Sequence, residues 1–344
     1  MKPKDNVLET IRLGKPSRVP AVLFSGGAWT FNNRGLTLEQ AVASPELMAQ
    51  VIVETNAKVH SDIVWAGSGF NNLPVRALGG RIKFRVKGTM DVQEPLLKTA
   101  ADVDRIDLDR LGEDEGINNI WETAALLDRA IGDEVLIGAC GWGPFTLGAQ
   151  FYGTERLMSA IYKDRTAVRA VLDFAAEASF RYYEAYRKKG ARIISVAEPT
   201  ASGDLISREH FEEFAIPYLT KFIKKSKEAG SLNLVHICGN TTSRLDLIPG
   251  TGADVYSVDY KVDLARVREV FGDRLAFAGN INPAGILVNG TPDEVAAAAR
   301  ECIAKSGGRG NFIMMPGCDL SPAVPLANIR AMIETALNSP IQQN

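Results

Sequence analysis

His236 and Cys238 stand two residues apart near the end of an apolar run, residues 232–239. If that run is a β-strand, both side chains leave the same face of it. A neutral imidazole and a thiolate so placed make half of a tetrahedral zinc site. Cys318, at the end of another apolar run (residues 311–318), offers a third soft ligand. Three protein ligands leave one position for a substrate, which is the catalytic pattern, whereas structural zinc sites are closed. The competing reading is a satisfied polar-plus-apolar pair at a strand end, with no metal.

The chain has three histidines and four cysteines in 344 residues, too few cysteines for a disulfide framework. His60 and His210 fall in helical segments, where surface or packing roles are expected. Cys302 lies in a helical segment beside Ala299 and Ile303, the setting of a buried inert thiol. Cys140 ends an apolar run and is open to either core packing or ligation.

These residues need elements to position them. Runs rich in Val, Ile and Ala recur at residues 19–24, 62–67, 134–140, 192–198, 232–239, 255–260, 275–280 and 311–318. Most are nearly continuous apolar stretches, as expected of parallel strands covered on both faces. The segments between them carry helical period and recognisable ends. Thr37 with Gln40, and Thr291 with Glu294, read as capping boxes. Ser44-Pro45 places a capping hydroxyl before a proline at the first helical position, and Lys188-Lys189-Gly190 and Ala229-Gly230 read as helix stops.

Eight such strands alternating with helices predict an α/β fold, a TIM (β/α)8 barrel spanning residues 1–344 as one domain. The length leaves room for an N-terminal extension and for a β-hairpin insertion after the second strand, where residues 81–87 alternate charged and apolar. A doubly wound open sheet is the rival, but no G-x-G-x-x-G follows the first strand. In a barrel, reactive groups sit where the strands end. Those ends carry Trp29, Asn71, Cys140, Trp142, Glu198, His236, Cys238, Asp259, Asn280, Cys318 and Asp319.

Composition is that of a globular protein, with 46% hydrophobic and 23% charged residues. Lys plus Arg total 39 against 41 Asp plus Glu, so there is no positive excess to hold a nucleic acid. Residues 1–5 are polar and no apolar stretch approaches the ~18 residues that span a bilayer. A cytoplasmic protein with neither nucleic-acid nor membrane partners is expected.

The segment His236-Ile237-Cys238-Gly239-Asn240, with the distant Met315-Pro316-Gly317-Cys318, resembles the H-x-C…C zinc pattern of cobamide-dependent methyltransferases. That group lies in the uroporphyrinogen decarboxylase superfamily and includes methylcobamide:coenzyme M and chloromethane methyltransferases. The stretches Gly14-Lys15-Pro16-Ser17-Arg18-Val19-Pro20, Glu198-Pro199-Thr200 and Ala278-Gly279-Asn280-Ile281-Asn282-Pro283 are also similar to the superfamily. The resemblance covers nearly the whole chain. It implies a TIM barrel, zinc on His236, Cys238 and Cys318, and methyl transfer between a methylated corrinoid and a thiol such as coenzyme M.

Uroporphyrinogen decarboxylases carry an arginine-rich loop after the first strand. Here residues 24–31 hold no charge, and a substrate with eight carboxylates needs guanidinium partners. Porphyrinogen decarboxylation is therefore not expected. Glu198 is the candidate for a fourth zinc ligand or for the base that takes the thiol proton, and Asp259 and Asn280 for groups that orient ligands. No D-x-H-x-x-G corrinoid motif occurs, so a separate corrinoid protein is expected to dock over residues 24–31 and Gly141-Trp142-Gly143-Pro144-Phe145, with Trp29, Trp142 and Asn280 as cofactor contacts. Two other readings stand beside this one. The first is a demethylase component moving methyl from a methoxylated or methylamine-type substrate to cobalt(I). The second is a non-catalytic corrinoid-binding module, which an open zinc position argues against.

Overall fold

Successive side chains point to opposite faces of the sheet, and both faces are buried. The computed structural model describes residues 1–24 and 26–341. Among them, seven strands form one parallel sheet: β1 (Ile63–Ala66), β4 (Leu136–Trp142), β5 (Ile193–Ala197), β6 (Leu232–Ile237), β7 (Val255–Val258), β8 (Ala276–Ile281) and β9 (Phe312–Pro316). Each pairs with the next in that order, so every connection is a crossover through helix. A separate antiparallel ladder joins β2 (Arg81–Lys83) to β3 (Asp91–Glu94).

Ile63, Trp65, Ile193, Leu234, Val255, Ala276, Ile313 and Met315 pack into one buried cluster on the inner face of the sheet. Val64, Ala66, Ile194, Val235, Val258 and Met314 pack into a larger cluster under the helices. Helix Pro3–Ile11 joins the inner cluster through Val7 and Ile11 at the N-terminal end of the strands, away from their C-terminal ends.

The expected first strand, residues 19–24, is reduced to a single parallel bridge between Ala21 and Met314. On one side Val22 N donates to Met314 O (2.8 Å) and Met314 N to Pro20 O (2.8 Å). On the other, Asp62 N donates to Ala21 O (2.8 Å), so the segment is bonded to both edge strands. Pro20 has no N–H to offer a ladder. Two further amides are captured by side chains, Ala21 N by the Asp62 carboxylate (2.9 Å) and Leu23 N by Ser61 Oγ (2.9 Å). A regular strand is lost to these captures.

The helix ends follow the sequence signals. Thr37 with Gln40 and Thr291 with Glu294 form capping boxes, and Ser44 caps Leu47 N. Among the described residues no helix is long and apolar enough to cross a membrane.

Candidate metal centre

Because Leu234 faces inward on β6, His236 and then Cys238 follow it in phase toward the C-terminal end of the sheet. Cys318 arrives from the turn after β9. The ligand atoms of His236, Cys238 and Cys318 all lie within 4.8 Å of one another. His236 Nε2 is 3.1 Å from Cys238 Sγ, and the two sulfurs are 3.5 Å apart. Zinc with bonds of its usual length holds tetrahedral N and S donors roughly 3.5–3.8 Å apart, so these two separations lie within about half an ångström of that spacing. His236 Nδ1 meets Ser257 Oγ at 2.9 Å, which turns Nε2 toward the sulfurs. The Phe24 ring packs on the imidazole at a centroid distance of 5.0 Å.

The thiols are not equivalent. A hydrogen bond from Cys238, and then one from His236, lower the pKa of Cys318, whereas Cys318 and burial raise that of Cys238. The pair therefore favours ionisation at Cys318, and the donor set suits a soft, borderline metal.

Cys238 is fixed by the turn that follows it. Gly239 has φ +78°, and a Cβ there would collide with Ser202 Oγ. Gly239 N donates to Asp259 Oδ2 (2.8 Å), and Lys261 N to Asp259 Oδ1 (2.9 Å). Asn280 stands one step further out, its amide donating to Asp259 O (3.1 Å) and Val262 O (2.7 Å). Asp259 and Asn280 therefore brace the backbone beside the trio.

Glu198 follows Ala197, which shares the cavity wall with His236, and the strand period turns its side chain the other way. The carboxylate is buried and accepts from Phe145 N (3.0 Å) and Thr146 N (2.7 Å) at the start of helix Pro144–Tyr152. Gly143 leaves it room, since a Cβ there would strike Glu198 Oε1. The Glu198 N–H donates to His236 O (2.8 Å), tying this corner to β6.

Burial pushes the Glu198 carboxyl from an ordinary 4.5 up to about 7, against the hydrogen bonds from Thr146 and Phe145. The folded state then keeps a proton that the unfolded chain releases between those values. Stability from this group is full below the lower value and is lost as pH rises through the upper one, by about 3 kcal/mol in all. Unfolding midpoints across that interval should fall more steeply for the native protein than for Glu198→Gln. Parallel profiles would remove Glu198 as the source.

The trio lines one wall of a cavity of about 700 Å³, counted out to its opening. Trp142 is on another wall, its Nε1 donating to Asn72 Oδ1 (2.6 Å). Trp29 lies elsewhere: residues 27–32 form a short helix, and its buried indole donates to Val324 O (2.8 Å). Of residues 24–31, Phe24 lines the cavity, while Ser25 lies outside the described residues. Cys140 is buried on the cavity floor, and burial raises its thiol far above the ordinary range. Cys302 is half-buried near Asn280 (3.7 Å), His60 ends a helix at the surface, and the His210 ring packs against Tyr162.

Ser257, Thr89 and Met90 were not singled out by the sequence. Ser257 was legible in principle, as a hydroxyl residue interrupting an apolar strand and lying opposite His236 in register. Thr89 and Met90, just before β3, carried no such signal.

The uroporphyrinogen decarboxylase (URO-D) family model matches residues 2–338. The methylcobamide:CoM methyltransferase MtbA of Methanosarcina mazei is 30% identical over 349 residues, covering 98% of each chain. A uroporphyrinogen decarboxylase of Syntrophotalea carbinolica is 25% identical over 300 residues, 85% of this chain and 83% of its own. In three dimensions the chain is similar to a solved methyltransferase from Methanosarcina mazei, with a TM-score of 0.88 at 25% identity and 98% of each chain covered. The chain belongs to the uroporphyrinogen decarboxylase family, within its methyltransferase branch.

Proposed function

We propose that this protein transfers a methyl group from a methylated corrinoid, presented by a separate corrinoid protein, to a thiol, at a zinc ion held by His236, Cys238 and Cys318. The observation that carries the reading is the convergence of those three side chains within 4.8 Å on a cavity wall. It is supported by full-length similarity to a protein named for methylcobamide:CoM methyl transfer. The chain is read as one (β/α)8 barrel domain, residues 20–23 standing in for the first strand, with an N-terminal extension and the β2–β3 hairpin inserted after β1.

Bound zinc would supply Lewis acidity that lowers the pKa of a thiol and keeps it as thiolate at neutral pH. The protein does the rest. Cys238 and Cys318 bring negative charge that preserves the nucleophilicity of an incoming sulfur. Ser257 orients the His236 ring, and Asp259 and Gly239 fix the backbone of Cys238. The thiolate attacks the methyl of methyl-cobalt(III): a carbon–sulfur bond forms, the cobalt–carbon bond breaks, and its electron pair stays on cobalt as cobalt(I). The thiol proton leaves by way of the cavity; the Glu198 carboxyl, turned to the start of helix Pro144–Tyr152 on the far side of β5, does not line that cavity and is not placed to take it directly. Trp142 and Phe24 give the cavity the apolar walls that a desolvated thiolate requires.

Anaerobic mixing of protein, methylcobalamin and a thiol should convert the methyl-cobalt(III) spectrum to that of cobalt(I). An unchanged spectrum with every thiol, with methyl loading of cobalt(I) from a methoxylated or methylamine substrate, would move the protein to the demethylase reading. Ser257→Ala is expected to weaken zinc binding by roughly 10–100-fold with the fold intact. Competition with a chromophoric chelator reads this, and equal affinity would show that Ser257 does not orient His236.

A further inference from the structure

The relatives named for coenzyme M take a thiol whose far end is a sulfonate, and an anion enclosed in a cavity needs a cation or several donors beside it. Among the described residues, no lysine or arginine lines the cavity that holds His236, Cys238 and Cys318. Its one carboxylate is Asp319, next to Cys318, with Gly26 N (2.8 Å) and Leu320 N (2.9 Å) donating to it. Lysines and arginines on neighbouring segments are paired or exposed. Lys261 pairs with Asp204 (2.7 Å) beside the Gly239 turn, Arg85 pairs with Asp91 on the hairpin, and Lys83 and Lys87 are exposed.

The remaining walls have a consistent character. Phe24, Met90 and Trp142 are apolar, and Thr89 and Asn71 supply polar groups. The Asn71 Oδ1 is buried without a hydrogen-bond partner, an acceptor that a donor on a ligand would satisfy. Asn72 offers nothing further, since its oxygen takes Trp142 Nε1 and its nitrogen donates to Met90 O (3.1 Å). With zinc offsetting the two cysteine thiolates, an anionic tail would still have the Asp319 carboxylate on the wall and no lysine or arginine beside it, whereas a neutral, donor-bearing tail meets compatible walls.

We infer that the methyl acceptor of this protein is a small thiol without an anionic group, its tail apolar or carrying a hydroxyl. The inference rests on the thiol methyltransferase reading above. The zinc-loaded protein is assayed with methylcobalamin and length-matched thiols: mercaptoethanol and propanethiol against mercaptoethanesulfonate and mercaptopropionate. Calorimetry gives the Kd of each thiol separately from turnover. The neutral thiols should exceed the anionic ones by at least about tenfold in kcat/KM and in affinity, reflecting an uncompensated anion. Thr89→Lys should narrow or reverse that preference by raising the anionic thiols. Turnover with anionic thiols matching or exceeding the neutral ones, with Kd values in the same order, would overturn the inference and leave methyl transfer to thiols standing. Loss of methyl from methylcobalamin to no thiol of either class would instead overturn the thiol reading and this inference with it.

Discussion

Cys238→Ala and Cys318→Ala are each expected to lose zinc affinity by more than about 100-fold, the upper cost of removing a mere supporting partner of a ligand. Each substitution deletes a charged, soft donor that neither water nor a neighbouring side chain replaces. Among the described residues no other His, Cys, Asp or Glu joins the three in a ligand-spaced cluster. Turnover should fall with the metal, to about 1% or less at sub-saturating zinc. Cys140→Ala is the control. That thiol shares the cavity, yet it stands outside the cluster and is protonated by burial, so its loss should leave metal content unchanged. Elemental analysis after dialysis against a chelator checks all three. Full zinc in both Cys238→Ala and Cys318→Ala would show that the metal, if there is one, sits elsewhere.

Asp62→Ala should destabilise the fold by roughly 3–5 kcal/mol, the usual cost of stranding one member of a buried ion pair. The Asp62 side chain is 1% exposed and Arg18 21%, so the pair is well shielded from solvent. Both carboxylate oxygens receive Arg18 nitrogens at 2.8 Å, and Oδ2 also takes Ala21 N. Three donors would lose their acceptor together. They belong to the segment that links β9 to β1, and Phe24, at its end, packs on His236. For a chain of this length the loss corresponds to a melting point lower by roughly 4–7 °C. Asp62→Asn, which keeps one acceptor oxygen, should lie between alanine and the native residue. A melting point for Asp62→Ala within about a degree of native would mean that the pair does not hold the segment.

The apolar runs made the sheet legible because both of its faces are buried, which leaves a continuous signal in sequence. The metal trio was legible for a related reason. His236 and Cys238 share one strand phase, and Cys318 ends the run that became β9. What escaped depends on contacts between distant residues. No local pattern announces that Asp62 and Ser61 take the amides of residues 21 and 23 and leave a bridge where a strand was expected. Residues 24–31 read as a docking loop, but much of the segment is helix, with Trp29 tied to Val324 some three hundred residues away. Glu198 was identified as a strand-end acid, but whether it faced the cavity or the helix start turned on a single residue of phase.

X-ray absorption at the zinc edge tests most directly whether these three side chains hold a metal that receives the thiol. On the zinc-loaded protein without thiol, the nearest shell should contain two sulfurs, from Cys238 and Cys318, with nitrogen or oxygen completing it. Saturation with an accepted thiol should raise the sulfur count to three and remove one light atom. A first shell holding two sulfurs both before and after thiol, in protein that turns over methylcobalamin, would contradict activation of the thiol at this centre.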